Sequence, residues 1–477
     1  MSMRAFVWPK FAAALAGCVA FAAPALSQPA PIVQSAFVLQ GAEGVFTVRA
    51  VVDGPVCPTI KTERGSVATT PRSFPEPHDA ANDPGGASKR VPAGDFPLRI
   101  CEATLANSTR SATLEGQVLP LPLPVPTRIV VIGDTGCRLK GSKTGGAFQD
   151  CNSPSAYPFA RIARAAALWK PDLVVHVGDY LYRESPCPND HAGCEGSPWG
   201  DNWQGWKADF FDPARPLLAV APIVAARGNH EICERAGAGY RLLLDTAPLA
   251  ADTDCTDRDK DGRGDFSPTY AVPLGHETQL VVFDSSRAGN SPVAIGNPDY
   301  PAFLNIRSQI EALSRKAEHT ILVDHHPILA FAAAKGPSGP ILYSGNAALI
   351  STFMADGQPL TPKGVDLVLS GHVHVWEALS FSSDHPAQIV AGFSGTDEDT
   401  VPLPAAAPSG HPPAPGAVVA AMSSWVDGFG FMTMTRLGAA RWKIEVRDVD
   451  GKVVNTCALQ NRNLSCEIAQ PPTPPKP

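Results

Sequence analysis

The sequence has no excess of basic residues: 39 Lys and Arg stand against 46 Asp and Glu, a formal net charge of −7. That balance leaves no basic footprint for nucleic acid. Past the N-terminal segment no run of 18 uninterrupted apolar residues occurs, so nothing qualifies as a membrane-spanning helix. There is no Cys-x-x-Cys pair, which argues against a zinc ribbon. Proline, in contrast, is abundant, 48 of 477 residues. It clusters at LPLPLPVP (119–126), across 401–416 and in PPTPPKP (471–477), which read as a stiff linker, a long surface loop and a disordered tail.

The first residues have the form of an export signal. Arg4 and Lys10 give a positive start, FAAALAGCVAFAAPA an apolar core, and ALS before Gln28 a small-residue cleavage site, so 1–27 reads as a signal peptide. LAGC (15–18) also has the form of a lipoprotein box, the alternative in which the protein is anchored through Cys18. The apolar run continues past Cys18 and favours soluble export, periplasmic or secreted. Ten further cysteines remain: Cys57, Cys101, Cys137, Cys151, Cys187, Cys194, Cys233, Cys255, Cys457 and Cys466. An even set in an exported chain implies disulfides. Sequential pairing would close five loops, the widest Cys57–Cys101, but sequence leaves the connectivity open.

Residues 28–118 hold short β-branched or alternating runs (GVFTVRAVV, FPLRICEATL) separated by Gly, Pro and Asp, and predict a small N-terminal β-sandwich domain. From 127 the pattern turns to α/β. TRIVVIGD and LVVHVGD are strands flanking the amphipathic helix PFARIARAAALW, a βαβ unit. APIVAARGNH, TQLVVFDSS, TILVDHH and VDLVLSGH continue the strands, and IRSQIEALSRKAEH is a second helix. FMTMTRL, RWKIEVRDV and KVVNTCAL are expected to close the second layer of a catalytic domain spanning 127–470.

Five of these strands end in polar clusters: GDTG (133–136), GDYLY (178–182), RGNHE (227–231), VDHHP (323–327) and GHVH (371–374). In α/β sheets ligands sit outside the carboxyl ends of the strands, so the clusters should converge on one crevice. Carboxylate, amide oxygen and imidazole suit first-row metals. Two such ions roughly 3.5–4 Å apart can clamp a phosphoryl group and activate water. One carboxylate must then bridge them.

The ordered series resembles the purple acid phosphatases, within the calcineurin-like metallophosphoesterases, over roughly 127–380. The resemblance implies an α/β (α+β sandwich) fold, a two-sheet core flanked by helices, and an exported enzyme that hydrolyses phosphomonoesters. It implies one ion held by Asp134, Asp179, Tyr182 and His374, and another by Asp179, Asn229, His325 and His372, with Asp179 bridging. His230 would face the substrate and protonate the leaving oxygen, with Asn229 and His326 as further substrate contacts. Metallophosphoesterases usually open with Asp-x-His, but here the third position is Gly136; Tyr182 is expected to fill the gap. A phenolate favours Fe(III) there, leaving a divalent Fe, Zn or Mn at the second place.

Other groups carry blander readings. His176 alternates with apolar residues and reads as a hydrogen-bonded core histidine. The substrate-facing histidine pair of plant-type members is absent from ILAFAAAKGPSGP, where Lys335 reads as a solvated loop lysine. WGDNWQGWKADFF (199–211) reads as core and cleft wall together. Asp257, Asp259 and Asp261, followed by Gly262, resemble the start of a calcium loop, but Pro268 stands where the bidentate glutamate belongs, so a solvated acidic loop is the favoured reading. Two other functions stay open: a phosphodiesterase of the alkaline phosphatase D type, and a binding or adhesion protein with a structural metal site.

Overall fold

The computed structural model describes residues 32–73, 96–142, 145–337, 339–397, 403, 406–408, 410–426 and 428–470. The expected signal peptide with Cys18, the tail and part of the 401–416 loop lie outside the described residues. Two large sheets face each other. One has eleven strands, in the order Asn463–Cys466, Val453–Gln460, Arg441–Asp448, Gly430–Gly438, Arg128–Ile132, Leu173–His176, Ile223–Ala225, Ile32–Gln40, Phe46–Asp53, Arg99–Leu105 and Thr70–Arg72. The other has seven: Tyr270–Gly275, Thr278–Val282, His319–Val323, Val365–Ser370, Ala387–Ala391, Trp376–Phe381 and Val419–Trp425.

Alternation within the strands explains the layering. Ile129 and Val131 point into the core between the sheets, where they meet Ile321, Val323, Leu367 and Leu369 of the facing sheet. Val130 and Ile132 point the other way, under the helix Phe159–Leu168. Strands buried on both faces read as continuous apolar runs, and RIVVI is one. The central strands Arg128–Ile132, Leu173–His176 and Ile223–Ala225 run parallel, as do His319–Val323 and Val365–Ser370 across the core. All five motif-bearing strands therefore present their carboxyl ends in parallel groups, three from one sheet and two from the other.

Two expectations need correction. The C-terminal strands do not close the second layer: Gly430–Gly438 pairs antiparallel with Arg128–Ile132 and extends the first sheet. The N-terminal strands do form two layers, with Val38, Val48 and Ile60 packed between the large sheet and a small one of Thr59–Thr62, Gly65–Ala68, Ala112–Leu114 and Gln117–Val118. That sandwich is not a separate body. Ile32–Gln40 pairs in parallel with Ile223–Ala225 at Leu39 and Ile223. Its other face, Phe37 and Leu39, belongs to the catalytic core, and the Phe37 ring lies 5.2 Å from that of Phe211. The proline-rich loop is also less detached than expected, since Leu403 and Ala407 pack with Phe331 and Val373.

The five disulfides pair sequentially: Cys57–Cys101, Cys137–Cys151, Cys187–Cys194, Cys233–Cys255 and Cys457–Cys466. Among the described residues no helix is long and apolar enough to cross a membrane. The segment read as a solvated acidic loop forms two short helical turns: Asp257 pairs with Lys260 at 3.0 Å, and Asp261 opens the short helix Asp261–Gly264. Among the described residues the only group of three acidic, histidine or cysteine side chains close enough to share a cation lies elsewhere.

A charged clamp ties the N-terminal strands to the helix Gly237–Leu243, which follows the third motif. Arg49 donates to the carbonyls of Leu243 and Asp245, both at 2.9 Å. Arg72 donates to those of Arg241 at 2.7 Å and Ala247 at 2.8 Å. The Arg241 and Leu243 carbonyls are among those a helix end leaves unsatisfied, and those of Asp245 and Ala247 belong to the loop that follows. Glu102 bonds both guanidinium groups, at 2.6 Å and 3.3 Å. Burial opposes its charge, but the two arginines outweigh that and hold the carboxyl below its ordinary value. A depressed carboxylate contributes stability above its unfolded pKa, about 4.3, and loses it as pH falls. E102Q should therefore melt lower than wild type at neutral pH, with the gap closing below about pH 4; thermal melts across pH check this, and a gap independent of pH would contradict it.

Candidate metal centre

Each motif turns sharply where its strand ends. Asp134, Asp179 and His372 take positive φ angles of 53°, 60° and 73°, a conformation costing about 1–3 kcal/mol in a non-glycine residue. The first two loops are laced together: Asp134 N–H donates to the Gly178 carbonyl and Thr135 N–H to that of Asp179, both at 3.0 Å. Gly228 has to be glycine, because a Cβ there would lie 2.1 Å from Asp179 Oδ1.

Two donor groups result. In the first, Tyr182 Oη lies 3.0 Å from Asp134 Oδ1, 2.8 Å from Asp179 Oδ2 and 2.9 Å from His374 Nε2. In the second, His325 Nε2 lies 3.1 Å from the same Asp179 Oδ2 and 3.0 Å from Asn229 Oδ1, and His372 Nδ1 lies 2.9 Å from Asn229 Oδ1. Asp179 belongs to both. All seven residues named from the sequence thus meet.

The chemistry of these donors fits cations. His325 Nδ1 faces the Val177 carbonyl at 2.9 Å and His374 Nδ1 that of Asp397 at 2.8 Å. A proton on each Nδ1 leaves the Nε2 lone pairs aimed at the centre. Burial disfavours a charged His325, yet Asp179 outweighs it and holds the ring up at about 10. Burial, with Asp134 and Asp179, pushes the Tyr182 phenol well above its usual value. Protons on these two groups stand where the polypeptide needs positive charge.

Residues 127–376, just over half of the chain, match the calcineurin-like phosphoesterase family. The chain belongs to that family. A calcineurin-like phosphoesterase is a metal-dependent phosphoric ester hydrolase with a dinuclear centre. Among solved structures, a purple acid phosphatase from yellow lupin (Lupinus luteus) seeds aligns over 91% of this chain and 75% of its own, at 14% identity and a TM-score of 0.51, a likeness of fold. PhoD aligns over 93% of both chains at 14% identity and a TM-score of 0.49. No curated protein matches in sequence at a significant level.

In this phosphoesterase, several supporting groups escaped the motif reading. Glu231 accepts from the backbone N–H of Asp179, Tyr180, Leu181 and Gly228 at 2.8–3.2 Å, joining the second and third motifs. Ser285 Oγ accepts from both His325 and His326 N–H at 3.0 Å. Glu184 Oε1 lies 2.8 Å from His230 Nδ1, and Arg235 pairs with Glu184 and lies 2.6 Å from His230. Glu231 stands inside RGNHE and Glu184 two residues past Tyr182, so proximity in sequence was the available signal.

Other expectations can now be placed. His176 is a core histidine: buried, 3.0 Å from Thr135 Oγ1, and stacked on Tyr180 with ring centroids 3.8 Å apart. His326 is buried against His372, ring centroids 4.2 Å apart, rather than exposed. Lys335 is exposed in the hairpin strand Ala332–Gly336. Trp203, Trp206, Phe210 and Phe211 are core, and Trp199 and Trp203 also line a surface hollow beside Pro97.

Because Tyr182 and His325 hold protons that a cation must displace, metal loading should release protons and tighten as pH rises. Calorimetry in buffers of different ionisation enthalpy would show that release. An affinity independent of pH would count against these two groups as ligands.

Proposed function

We propose that the protein is an exported phosphomonoester hydrolase with Fe(III) held by Asp134, Asp179, Tyr182 and His374, and a divalent Fe, Zn or Mn held by Asp179, Asn229, His325 and His372. The reading rests above all on the Tyr182 oxygen, which lies within 3.0 Å of a donor atom from each of its three partners. A phenolate is a hard anionic donor, and hard oxygen ligands favour the higher-charged ion. Two cations so held polarise a phosphoryl group, activate water and stabilise the charge that develops.

The chain's own part is orientation and proton handling. Asn229 and His230 sit on the short turn Asn229–Glu231, and His230 N–H donates to Asp179 Oδ1 at 2.8 Å. The His230 ring lies tilted against that of Tyr182, centroids 3.7 Å apart, with Nε2 3.8 Å from Asp179 Oδ2. Glu184 at Nδ1 and Arg235, 2.6 Å from Nε2, fix the ring. Burial and Arg235 hold its pKa down at about 4, so it passes a proton to the leaving oxygen in its acid form, at low pH. His326, its ring centroid 4.2 Å from that of His372, is assigned here as a further substrate contact. The five disulfides support export into an oxidising compartment.

Metal analysis with a visible spectrum tests the centre: iron with a phenolate charge-transfer band is expected, and a colourless protein loaded only with zinc would overturn the ferric assignment. H230A should keep its metals and lose about 10²–10⁴-fold in kcat on a phosphomonoester, most for alcohols that leave poorly. Steady-state rates across a leaving-group series check this, and an equal loss on every ester would remove the proton-donor role. Turnover of a bis-substituted ester above that of the monoester would overturn the monoesterase reading.

A further inference from the structure

The segment Lys207–Phe211 forms a π-helical turn, a form concentrated at functional sites. Its aromatics anchor it: Phe210 packs edge-on against Tyr180 at 5.1 Å and Phe211 against Phe37. The wider turn delivers one polar group into this apolar wall. Asp209, fully buried, aims its carboxylate at the junction of the first and second motifs. Oδ2 accepts from Tyr182 N–H at 2.8 Å and Arg183 N–H at 3.2 Å, and Oδ1 accepts from Cys137 N–H at 3.1 Å. Arg183 Nε completes the set. The Asp209 carbonyl accepts from Tyr157 Oη at 2.8 Å, so the residue is held at both ends.

This carboxylate occupies the space a side chain at 136 would need. A Cβ on Gly136 would lie 2.7 Å from the Tyr180 carbonyl, 2.8 Å from Asp209 Oδ2 and 2.8 Å from Tyr182 N. Two of those atoms are backbone and the third belongs to a carboxylate held by four donors, two on each oxygen, so none can withdraw cheaply. The loss of a histidine at 136 and the gain of a phenol at 182 are then one event seen from two sides. The group that fills the first place also grips the backbone of the second.

We propose that Asp209 is the positioning residue that sets Tyr182 as a metal ligand and bars a histidine from position 136. This rests on the reading of Tyr182 as a ligand. It does not touch substrate or metal itself; it acts by fixing where the residue 182 backbone lies, and so how far its phenol reaches.

The test loads wild type and variants with iron, then reads the visible phenolate band and the retention of iron against a chelator. D209N should stay folded by circular dichroism, shift or lose the band, and release iron about 10–100-fold more readily. D209N leaves Arg183 without its charged partner, so D209N/R183M, which removes both, is made alongside and should behave alike; it carries the test should the single variant not fold. Y182F/G136H should not regain the ion that Tyr182 holds in wild type, because the histidine has no room. An unchanged band and unchanged iron retention in the folded variant would overturn the proposal, as would full metal recovery in Y182F/G136H. A wild type that binds iron without any band would instead overturn the ligand role of Tyr182, and this inference with it, so the two failures are told apart.

Discussion

The centre depends on one carboxylate being reached from two sheets. Asp179 ends a strand of the first sheet, yet its Oδ2 lies 3.1 Å from His325, which ends a strand of the second. Facing sheets pack about 10 Å apart, a spacing set by the side chains between them. Val131, Val175, Val323 and Leu369 thus do more than exclude water. Their bulk sets how far Asp134, Asp179 and Asn229 stand from His325, His372 and His374, and each of these lies only two to four residues past its strand end, which leaves little loop to absorb an error.

Such short turns explain the backbone strain at Asp134, Asp179 and His372. It persists because each turn is held from outside. Glu231 ties the second motif to the third. Ser285 holds the fourth, and the His372 N–H donates to Asp134 Oδ2 at 3.1 Å, tying the fifth to the first. These contacts are polar and buried, where an unmet partner costs most. The ring of supports is thereby as demanding of sequence as the ligands are.

The ligands were legible in the sequence because their chemistry and position coincide: Asp, Asn and His types at the ends of apolar runs have few other uses in such number. Asp209 was not, because it sits in an aromatic run with no periodic signal, and its role depends on a turn one residue wider than an α-helix. Glu184 and Arg235 stand outside the motifs, and only the fold brings them to His230. The two-layered N-terminal region was visible in its alternating strands. Nothing in the alternation said that Phe37 and Leu39 would meet Phe211 and Ile223 far along the chain. The acidic spacing at Asp257, Asp259 and Asp261 was already read against calcium, because Pro268 stands where the closing carboxylate belongs; the helical turns it forms had no signal in the spacing.

The position of Ile32–Gln40 in the middle of the eleven-stranded sheet bears on how the polypeptide reaches its native state. Synthesis delivers this strand early, but its parallel neighbour comes only at Ile223. Until then the Phe37 and Leu39 face has nothing to cover it, and the early layers cannot settle alone. The N-terminal layers therefore complete their packing only with the strand Ile223–Ala225 in place, a contact between segments far apart in sequence of the kind that slows folding.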